Sequence, residues 1–422
     1  MAFKKNLQYY KFSLYGFLKN LRFFDPFLIL FFREKGLSFL AIGSLYAIKE
    51  ITTNILEIPT GIIADSIGRR RTMIISFIAY IISFIFFYIY NTYSLFVVAM
   101  LFFSLGEACR TGTHKAMIFE YLQIHNLVKQ KVHYYGNTRG WSQMGSALSS
   151  LIAAVIVFYS GNLNTIFLFS TIPYILDLIL MMTYPKELDG ETKKITWKNF
   201  IKSSKLTIKD FFLSFKNPQI IRTMVNTSLF SGFYKAVKDY LQPILKTLAL
   251  SLPILMFLKA ETKRESLIIG LLYFFVYFLS SFASRSSGFF SKKFSNLSSP
   301  LNLFIILGFI FGILSGIFYY LGVRYKNIIF NILSVVLFLF IYLIENLRKP
   351  MGIALIGDQL KKNILATSLS ATSQIQSLFS AFFSIILGFL IDKIQLGPAL
   401  IGISIFLVIL YPLYALKSKK LD

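Results

Sequence analysis

Twelve apolar stretches, each long enough to cross a bilayer, run through the chain between shorter polar or basic segments. One helical crossing of the hydrocarbon core takes about 20 predominantly apolar residues. The stretches lie near 8–32, 39–64, 72–90, 95–121, 140–160, 165–184, 218–245, 266–288, 300–321, 328–358, 366–392 and 398–416. With 55% hydrophobic and only 15% charged residues, the chain has too much apolar surface for a water-soluble fold. The sequence predicts an all-α membrane protein with twelve transmembrane helices.

The basic residues favour one side of the predicted helices. Arg69 to Arg71 form one cluster, and the segment 185–217 contains eight lysines. Cytoplasmic loops carry the excess of Lys and Arg, so we expect both termini in the cytoplasm of a multi-pass protein in the inner or plasma membrane. The first residues lack the pattern of a cleavable signal peptide, so the first hydrophobic helix is expected to stay in the protein.

The formal net charge of +25 does not indicate nucleic-acid binding, because the basic residues form short clusters and no continuous stripe. Cys109 is the only cysteine, so no intramolecular disulfide can form. The histidines, His114, His125 and His133, lack a metal-ligand spacing, and no catalytic nucleophile stands out. We therefore expect no metal, no cofactor and no enzymatic activity, with an intramembrane enzyme as a less favoured alternative.

The two halves of the chain repeat each other. Glu107, Arg110, Ala116, Ile118, Glu120 and Leu122 recur as Glu345, Arg348, Ala354, Ile356, Asp358 and Leu360, all at an offset of 238. The segment GFLKNLR at 16–22 is likewise echoed by GFYKAVK at 232–238. Such internal repeats predict two six-helix bundles, 1–184 and 218–422, joined by a cytoplasmic linker, 185–217. The lysine spacing in the linker suits an amphipathic helix at the inner headgroups, and a solvated loop is the alternative.

A turn rich in glycine and arginine follows the second predicted span, in EIPTGIIADSIGRRR at 57–71. Gly61 would allow close helix approach, Gly68 a tight turn, and Asp65 can face a helix amino terminus or an arginine. With Arg69 and Arg70 these residues match G-x-x-x-D-x-x-G-R-R/K, and here the chain resembles the major facilitator superfamily. The resemblance implies twelve helices in two six-helix repeats and a cytoplasmic latch at this turn, released as the halves rock. A plain basic inner loop is the alternative.

Glu57 and Pro59, just before this turn, resemble the pattern of a clostridial-type tetracycline exporter group. That resemblance implies drug export and antibiotic resistance. The fifth span departs from the antiporters of the superfamily, because it has GWSQMGSALSS at 140–150 in place of G-P-x-x-G-G. The departure weakens the case for drug antiport.

Ionisable residues are distributed unevenly among the predicted spans. Spans three, nine and twelve have none, and span six has only Asp177. Charged side chains inside a bilayer face a wet cavity or a partner, so they mark the helices that line a pathway. The expected substrate-cavity residues are Lys19, Arg22, Lys49, Glu107, Arg110, His114, Lys115, Lys235, Lys238, Asp239 and Glu345. Helical spacing pairs Arg22 with Asp25, Glu107 with Arg110 and Lys235 with Asp239, and structural ion pairs are the alternative to substrate contacts.

Glu50 and Glu57 lie seven residues apart, on one face of the second span and with no base of that face between them. We expect proton coupling at Glu50, Glu57 or Asp25, and a packing role for His114. The excess of basic cavity residues favours an anionic or zwitterionic ligand. The sequence thus predicts a monomeric, proton-coupled antiporter for efflux of a small amphipathic molecule, with the substrate, protons and lipids as its partners. Import of an organic anion is the runner-up, and a solute receptor is a further alternative.

Overall fold

The computed structural model describes residues 5–127, 131–190, 218–253, 258–359 and 362–417. These residues form helices joined by short turns, with no β-strand among them. The helices are α1 (Leu7–Lys19), α2 (Leu28–Glu34), α3 (Phe39–Ile67), α4 (Arg69–Ile89), α5 (Tyr93–Arg110), α6 (Thr113–Ile124), α7 (Lys131–Ser160), α8 (Thr165–Met182), α9 (Pro218–Val237), α10 (Leu241–Ser251), α11 (Glu261–Ser291), α12 (Ser298–Arg324), α13 (Ile328–Gln359), α14 (Lys362–Ile394), α15 (Leu396–Ile409) and α16 (Tyr411–Tyr414). The predicted all-α class is confirmed. The lysine-rich part of the linker, 191–217, lies outside the described residues.

Eight helical segments of the described chain are long and apolar enough to cross a membrane. They are Arg69–Ile89, Tyr93–Ile124, Asn137–Ser160, Thr165–Met182, Glu261–Ser291, Ser298–Arg324, Ile328–Gly357 and Ser370–Ile394. Each coincides with a predicted span, from the third to the sixth and from the eighth to the eleventh. The second predicted span is a long helix that carries the charged Lys49, Glu50, Glu57 and Asp65. The first, seventh and twelfth are divided into shorter helices, and the count of twelve stays a prediction.

The first and seventh predicted spans break at corresponding places of the repeat. A 3₁₀ turn at Asp25–Phe27, which contains Pro26, separates α1 from α2. A second 3₁₀ turn at Lys238–Tyr240 separates α9 from α10, just ahead of Pro243. Proline lacks a backbone N–H and clashes with the preceding helical turn, so it favours such breaks. The repeat seen in the sequence therefore recurs in the backbone.

Internal contacts divide the chain into two compact units. The first unit comprises residues 1–27 and 48–206, and the second comprises residues 28–47 and 207–422. The short segment 28–47 is thus grouped with the second half of the sequence. The simpler boundaries expected from the sequence, at 184 and 218, stay a prediction.

Polar contacts explain why the segment 28–47 belongs to the second unit. The Asp392 carboxylate accepts from the N–H groups of Phe39 at 2.9 Å and Leu40 at 2.8 Å, at the amino terminus of α3. A carboxylate is favourable there because it satisfies free N–H groups at the positive end of the helix dipole. Gln242 Oε1 accepts from the N–H of Ile29 at 2.8 Å.

An aromatic core in the first unit surrounds its charged residues. Tyr80, Phe84 and Tyr174 are fully buried. The Tyr174 ring meets the other two edge to face, at centroid distances of 5.1 and 4.9 Å. Edge-to-face rings pack densely and leave the tyrosine hydroxyls available for hydrogen bonds.

Candidate functional site

A partly buried ionic cluster lies in the first unit. Glu107 Oε1 accepts from Arg22, and Glu107 Oε2 accepts from Arg110. The three side chains are between 15% and 19% exposed. A buried charge is costly unless it is paired, so this arrangement stabilises one carboxylate and two guanidinium groups. The cluster keeps one more positive than negative charge.

Two tyrosines orient the guanidinium groups. Arg22 Nε donates to the Tyr174 hydroxyl at 3.1 Å, and Arg110 Nε donates to the Tyr80 hydroxyl at 3.2 Å. The Tyr174 hydroxyl donates in turn to the carbonyl of Lys19 at 3.1 Å. These bonds hold the two arginines on a rigid aromatic support, as a binding site requires of its charged groups.

Helical spacing predicted one of these pairs. Glu107 and Arg110, three residues apart, are paired as predicted. Arg22 reaches Glu107 from 85 residues away, so no local spacing reveals that contact. In the second unit Asp239 pairs with its neighbour Lys238 at 3.3 Å. The pairings of Arg22 with Asp25 and of Lys235 with Asp239 stay predictions.

Asp177 in α8 is a buried acid without a hydrogen-bond partner among the described residues. Its side chain is inaccessible to solvent, and neither carboxyl oxygen is bonded within the described residues. Asp177 was not among the predicted site residues. The sequence did contain a signal for it: Asp177 is the one ionisable residue of the sixth predicted span, and a solitary acid in a transmembrane helix is a candidate functional residue.

His114 lies in an aromatic cluster of the first unit. Its ring stacks on Tyr15, with centroids 3.5 Å apart and an interplanar angle of 16°. Phe12 meets the same ring edge to face at 5.5 Å, and His114 Nε2 lies 3.2 Å from the Tyr184 hydroxyl. These contacts agree with a packing role. The ammonium of the exposed Lys115 lies over the ring of Phe119, 5.5 Å from its centroid.

The predicted coupling acids of α3 have different surroundings. Glu50 is buried and forms an ion pair with Lys49 at 3.2 Å. Glu57 is half-buried, as is Asp25 in the turn after α1. The base that pairs with Glu50 is therefore its neighbour in the sequence, Lys49. The coupling roles of Glu50, Glu57 and Asp25 stay predictions.

Acids from elsewhere in the first unit hold the turn between α3 and α4. Gly68 has φ +99°, a conformation that glycine adopts without steric cost. The Asp189 carboxylate accepts from the backbone N–H of Arg70 at 2.7 Å, at the amino terminus of α4. Arg69 forms an ion pair with Glu120 at 2.9 Å. The predicted tight turn at Gly68 is present.

Gly61 and Asp65 are exposed positions of α3. Gly61 is exposed, and a Cβ built there meets no described atom within 4 Å, so the close helix approach at this position stays a prediction. Asp65 is exposed and forms no hydrogen bond or ion pair with the residues that the structure describes. The carboxylate at the amino terminus of α4 is instead that of Asp189, which lies 119 residues from Arg70 and is invisible to a local motif.

The second unit contains Glu345 and Arg348, the repeat equivalents of Glu107 and Arg110, with separate partners. Ser231 donates to Glu345 Oε1 at 2.6 Å, and Glu345 Oε2 has no hydrogen-bond partner in the described chain. Arg348 donates to Asn226 Oδ1 at 2.8 Å. Ser231 and Arg348 also border a cavity of about 240 Å³ within this unit. The repeat therefore keeps the residue types and changes their contacts.

Metal-binding groups are sparse in the described ranges. No three or more His, Cys, Asp or Glu side chains there are grouped so that they could hold a metal ion. The side chain of His133 lies outside the described part of the chain.

Comparison with known proteins gives the family. The model described as "Major Facilitator Superfamily" matches residues 16–357, which include most of both halves of the repeat. The chain belongs to the Major Facilitator Superfamily. The superfamily resemblance drawn from the turn at 57–71 is therefore confirmed, while the resemblance to the tetracycline exporter group stays a prediction.

Curated relatives carry the same family name. The chain is 23% identical over 228 residues to YxaM of Bacillus subtilis (strain 168), described as an uncharacterized MFS-type transporter, covering 54% of this chain and 56% of that one. It is 24% identical over 237 residues to another uncharacterized MFS-type transporter, of Methanocaldococcus jannaschii, covering 55% and 56%. The chain thus spans about half the length of the curated relatives it matches.

Solved structures share the fold of this superfamily member. The nucleoside transporter NupG superposes with a TM-score of 0.76 at 14% identity, over 98% of this chain and 100% of NupG. A bacterial homologue of the human lysosomal transporter Spinster, inward-facing and unoccupied, gives 0.71 at 13% identity, over 97% of each chain. At such low identity the likeness shows the fold alone.

Proposed function

We propose that this superfamily member is a proton-coupled, alternating-access secondary transporter of a small organic anion or zwitterion. The observation that carries the proposal is Asp177, a buried acid with no hydrogen-bond partner among the described residues, in a unit that also contains the partly buried Arg22 and Arg110. Ionisable residues at membrane depth are costly to retain and mark substrate or proton pathways. In a family of carriers, such an acid is suited to take up and release a proton.

Protonation of Asp177 would change the charge of its surroundings. The same unit contains the cluster of Arg22, Glu107 and Arg110, which has one more positive than negative charge. Protonation of Asp177 removes one negative charge from the unit, so an anion would bind more favourably. Because linkage is reciprocal, a bound anion also favours protonation of Asp177.

Binding that is mutually favourable for proton and anion supports symport. The inward proton gradient would then draw the anion into the cell. Import of an organic anion is therefore the direction that this site supports best. Arg22 and Arg110 would contact the anionic group, because a guanidinium binds carboxylate and phosphate in a defined geometry.

Export of a zwitterion is the second candidate, and the contact between Glu50 and Lys49 favours it. The carboxylate of Glu50 already binds one ammonium group at 3.2 Å. A substrate amine and a proton can both compete for that carboxylate, and such competition is what antiport requires. The likeness of Glu57 and Pro59 to tetracycline exporters supports the same direction.

The other predicted site residues keep their roles in this proposal. Lys115, Lys235, Lys238, Asp239 and Glu345 would contribute to the substrate cavity. Gly61, Asp65, Gly68, Arg69 and Arg70 would form the cytoplasmic latch. Asp65 has no partner among the described residues in this conformation, so its latch contact would form in another step of the transport cycle.

Vesicles with an imposed pH gradient test the proposal and separate the two directions. The purified full chain is reconstituted, and succinate serves as the anionic probe and tetracycline as the zwitterionic probe. Symport predicts that a probe accumulates on the alkaline side, and antiport predicts that it accumulates on the acidic side. A growth-inhibition panel of antibiotics, with and without expression, provides an independent check for export.

Acid-to-amide variants locate the coupling group. Asp177→Asn is expected to abolish gradient-driven accumulation and to retain exchange of labelled for unlabelled probe. Glu50→Gln, Glu57→Gln and Asp25→Asn are the matched variants. If all four leave accumulation intact, proton coupling at these acids is refuted. Binding without flux would indicate a receptor, and a chemically altered probe would indicate an enzyme.

A further inference from the structure

The cavity of the second unit is open because three of its bordering residues are small. It measures about 240 Å³ and lies between α9, α13 and α14. Ser228 and Ser231 of α9 and Gly352 of α13 border it. Both serines are largely buried, so the cavity extends into the interior of the unit.

The repeat shows what occupies the corresponding place in the first unit. In the repeat, Arg110 of the first half aligns with Arg348 of the second, and Gly16 aligns with Gly232. These alignments make Ser228, Ser231 and Gly352 the equivalents of Phe12, Tyr15 and His114. The three rings of the first unit pack together, with Tyr15 stacked on His114 and Phe12 against its edge. One unit thus has an aromatic cluster where the other has an open cavity.

A buried guanidinium that forms no ion pair within the described residues borders the cavity. Arg348 is 2% exposed. It donates to Asn226 Oδ1 at 2.8 Å and to the carbonyls of Asn226 and Leu301 at 3.3 Å, all of which are neutral acceptors. It forms no ion pair with the residues that the structure describes. Buried charges are normally paired, so an anion in the cavity would supply the missing partner.

The rest of the lining also suits an anionic group. Lys349 provides a second positive charge, and Thr372 and Gln376 add hydrogen-bonding groups from α14. The nearby acid, Glu345, does not line the cavity, and Ser231 binds one of its oxygens at 2.6 Å. A guanidinium, an ammonium and a hydroxyl together match the oxygens of a carboxylate or a phosphate.

We infer that this cavity binds the carboxylate or phosphate group of a small-molecule anion. The inference rests on the proposed function, because the bound group would belong to the transported molecule. Pockets for drug-sized ligands measure roughly 300–1,000 Å³. The smaller volume here suits one small anion or the anionic end of a larger molecule.

Binding to the purified full-length protein tests the inference. Succinate and inorganic phosphate are titrated separately, and binding is followed by calorimetry and by the thermal unfolding temperature. Lys349→Gln removes one charge from the lining, and Ser373→Phe introduces a ring from an exposed position on the rim. Lys292→Gln is the matched control, since it removes an exposed charge that does not border the cavity.

We expect at least one anion to bind saturably to the wild type and to Lys292→Gln. Its affinity should fall at least fivefold in Lys349→Gln and in Ser373→Phe. Binding of phosphate alone or of succinate alone supports the inference and identifies the group. Equal affinity in all four proteins, or no saturable binding to the wild type, overturns it.

The vesicle assay separates this inference from the proposed function. If anion binding weakens in Lys349→Gln and Ser373→Phe as expected but vesicles show no gradient-driven flux, the cavity is an anion site and the proposed transport function is refuted. Flux of either probe that is unchanged in Lys349→Gln and Ser373→Phe retains transport and refutes the cavity as a substrate site.

Discussion

Arg22 donates a hydrogen bond to Glu107 across 85 residues of sequence, in the first unit of the protein. The contact joins the segment after α1 to α5, and Arg110 binds the other oxygen of the same carboxylate. The repeat equivalent, Glu345, instead receives a hydrogen bond from the neutral Ser231. Two glutamates at matching positions therefore have different electrostatic roles.

Glu107→Gln and Glu345→Gln are predicted to differ in stability. Glu107→Gln leaves two partly buried guanidinium groups without their carboxylate, and the cost of about 3–5 kcal/mol for breaking a fully buried ion pair is the upper limit of the expected loss. Glu345→Gln weakens one hydrogen bond to a hydroxyl, for which about 0.5–1.5 kcal/mol is expected. Thermal unfolding of both variants in the same detergent measures the difference. Equal losses would contradict the proposed division of roles.

Local patterns in the sequence predicted the features that local chemistry determines. The helical class follows from the apolar stretches, and the Glu107–Arg110 pair follows from helical spacing. Contacts between distant segments could not be predicted in this way. Asp189 reaches Arg70 over 119 residues, and no short motif contains both.

The isolation of Asp177 and the openness of the cavity also depend on tertiary packing. A sequence shows that Asp177 has no base at helical spacing, and only the fold shows that both its oxygens lack hydrogen bonds within the described residues. The sequence alone does not show that Gly352 leaves space for a cavity. That becomes clear only because its repeat equivalent, His114, fills the corresponding place with a ring packed against Tyr15 and Phe12.

Gly68→Ala is predicted to destabilise the turn between α3 and α4. A Cβ at Gly68 would lie 2.7 Å from Asp189 Cγ, and φ is +99°. Positive φ costs a residue with a Cβ about 1–2 kcal/mol before any clash. Gly61→Ala is the matched control, because a Cβ there meets no described atom within 4 Å. Unfolding temperatures that fall only for Gly68→Ala would support the turn geometry, whereas equal effects would contradict it.

His114→Phe is predicted to preserve transport. Phenylalanine keeps a ring against Tyr15 and Phe12, and the variant loses only the contact between His114 Nε2 and the Tyr184 hydroxyl. Tyr184 still donates to the carbonyl of Lys11 at 3.2 Å, so the expected loss of stability is about 1 kcal/mol. Gradient-driven uptake in vesicles provides the measurement. Loss of coupling in a well-folded His114→Phe protein would assign a proton-carrying role to the histidine.

Asp177→Asn is predicted to be at least as stable as the wild type. Neither oxygen of Asp177 has a hydrogen bond to lose within the described chain, and an amide of nearly the same shape places no charge in the buried site. The variant therefore contrasts with Glu107→Gln, an equally small change at a fully bonded carboxylate. The two unfolding temperatures, measured side by side, test this difference.

Transport by Asp177→Asn then distinguishes a coupling residue from a packing residue. Removal of the titrating group should leave probe exchange at equal pH intact and make its rate less sensitive to pH, because the charge at this position no longer changes with protonation. A stable variant that still accumulates the probe against its gradient would exclude Asp177 as the coupling acid. Coupling would then have to reside in another acid, with Glu50 the next to test because of its ion pair with Lys49.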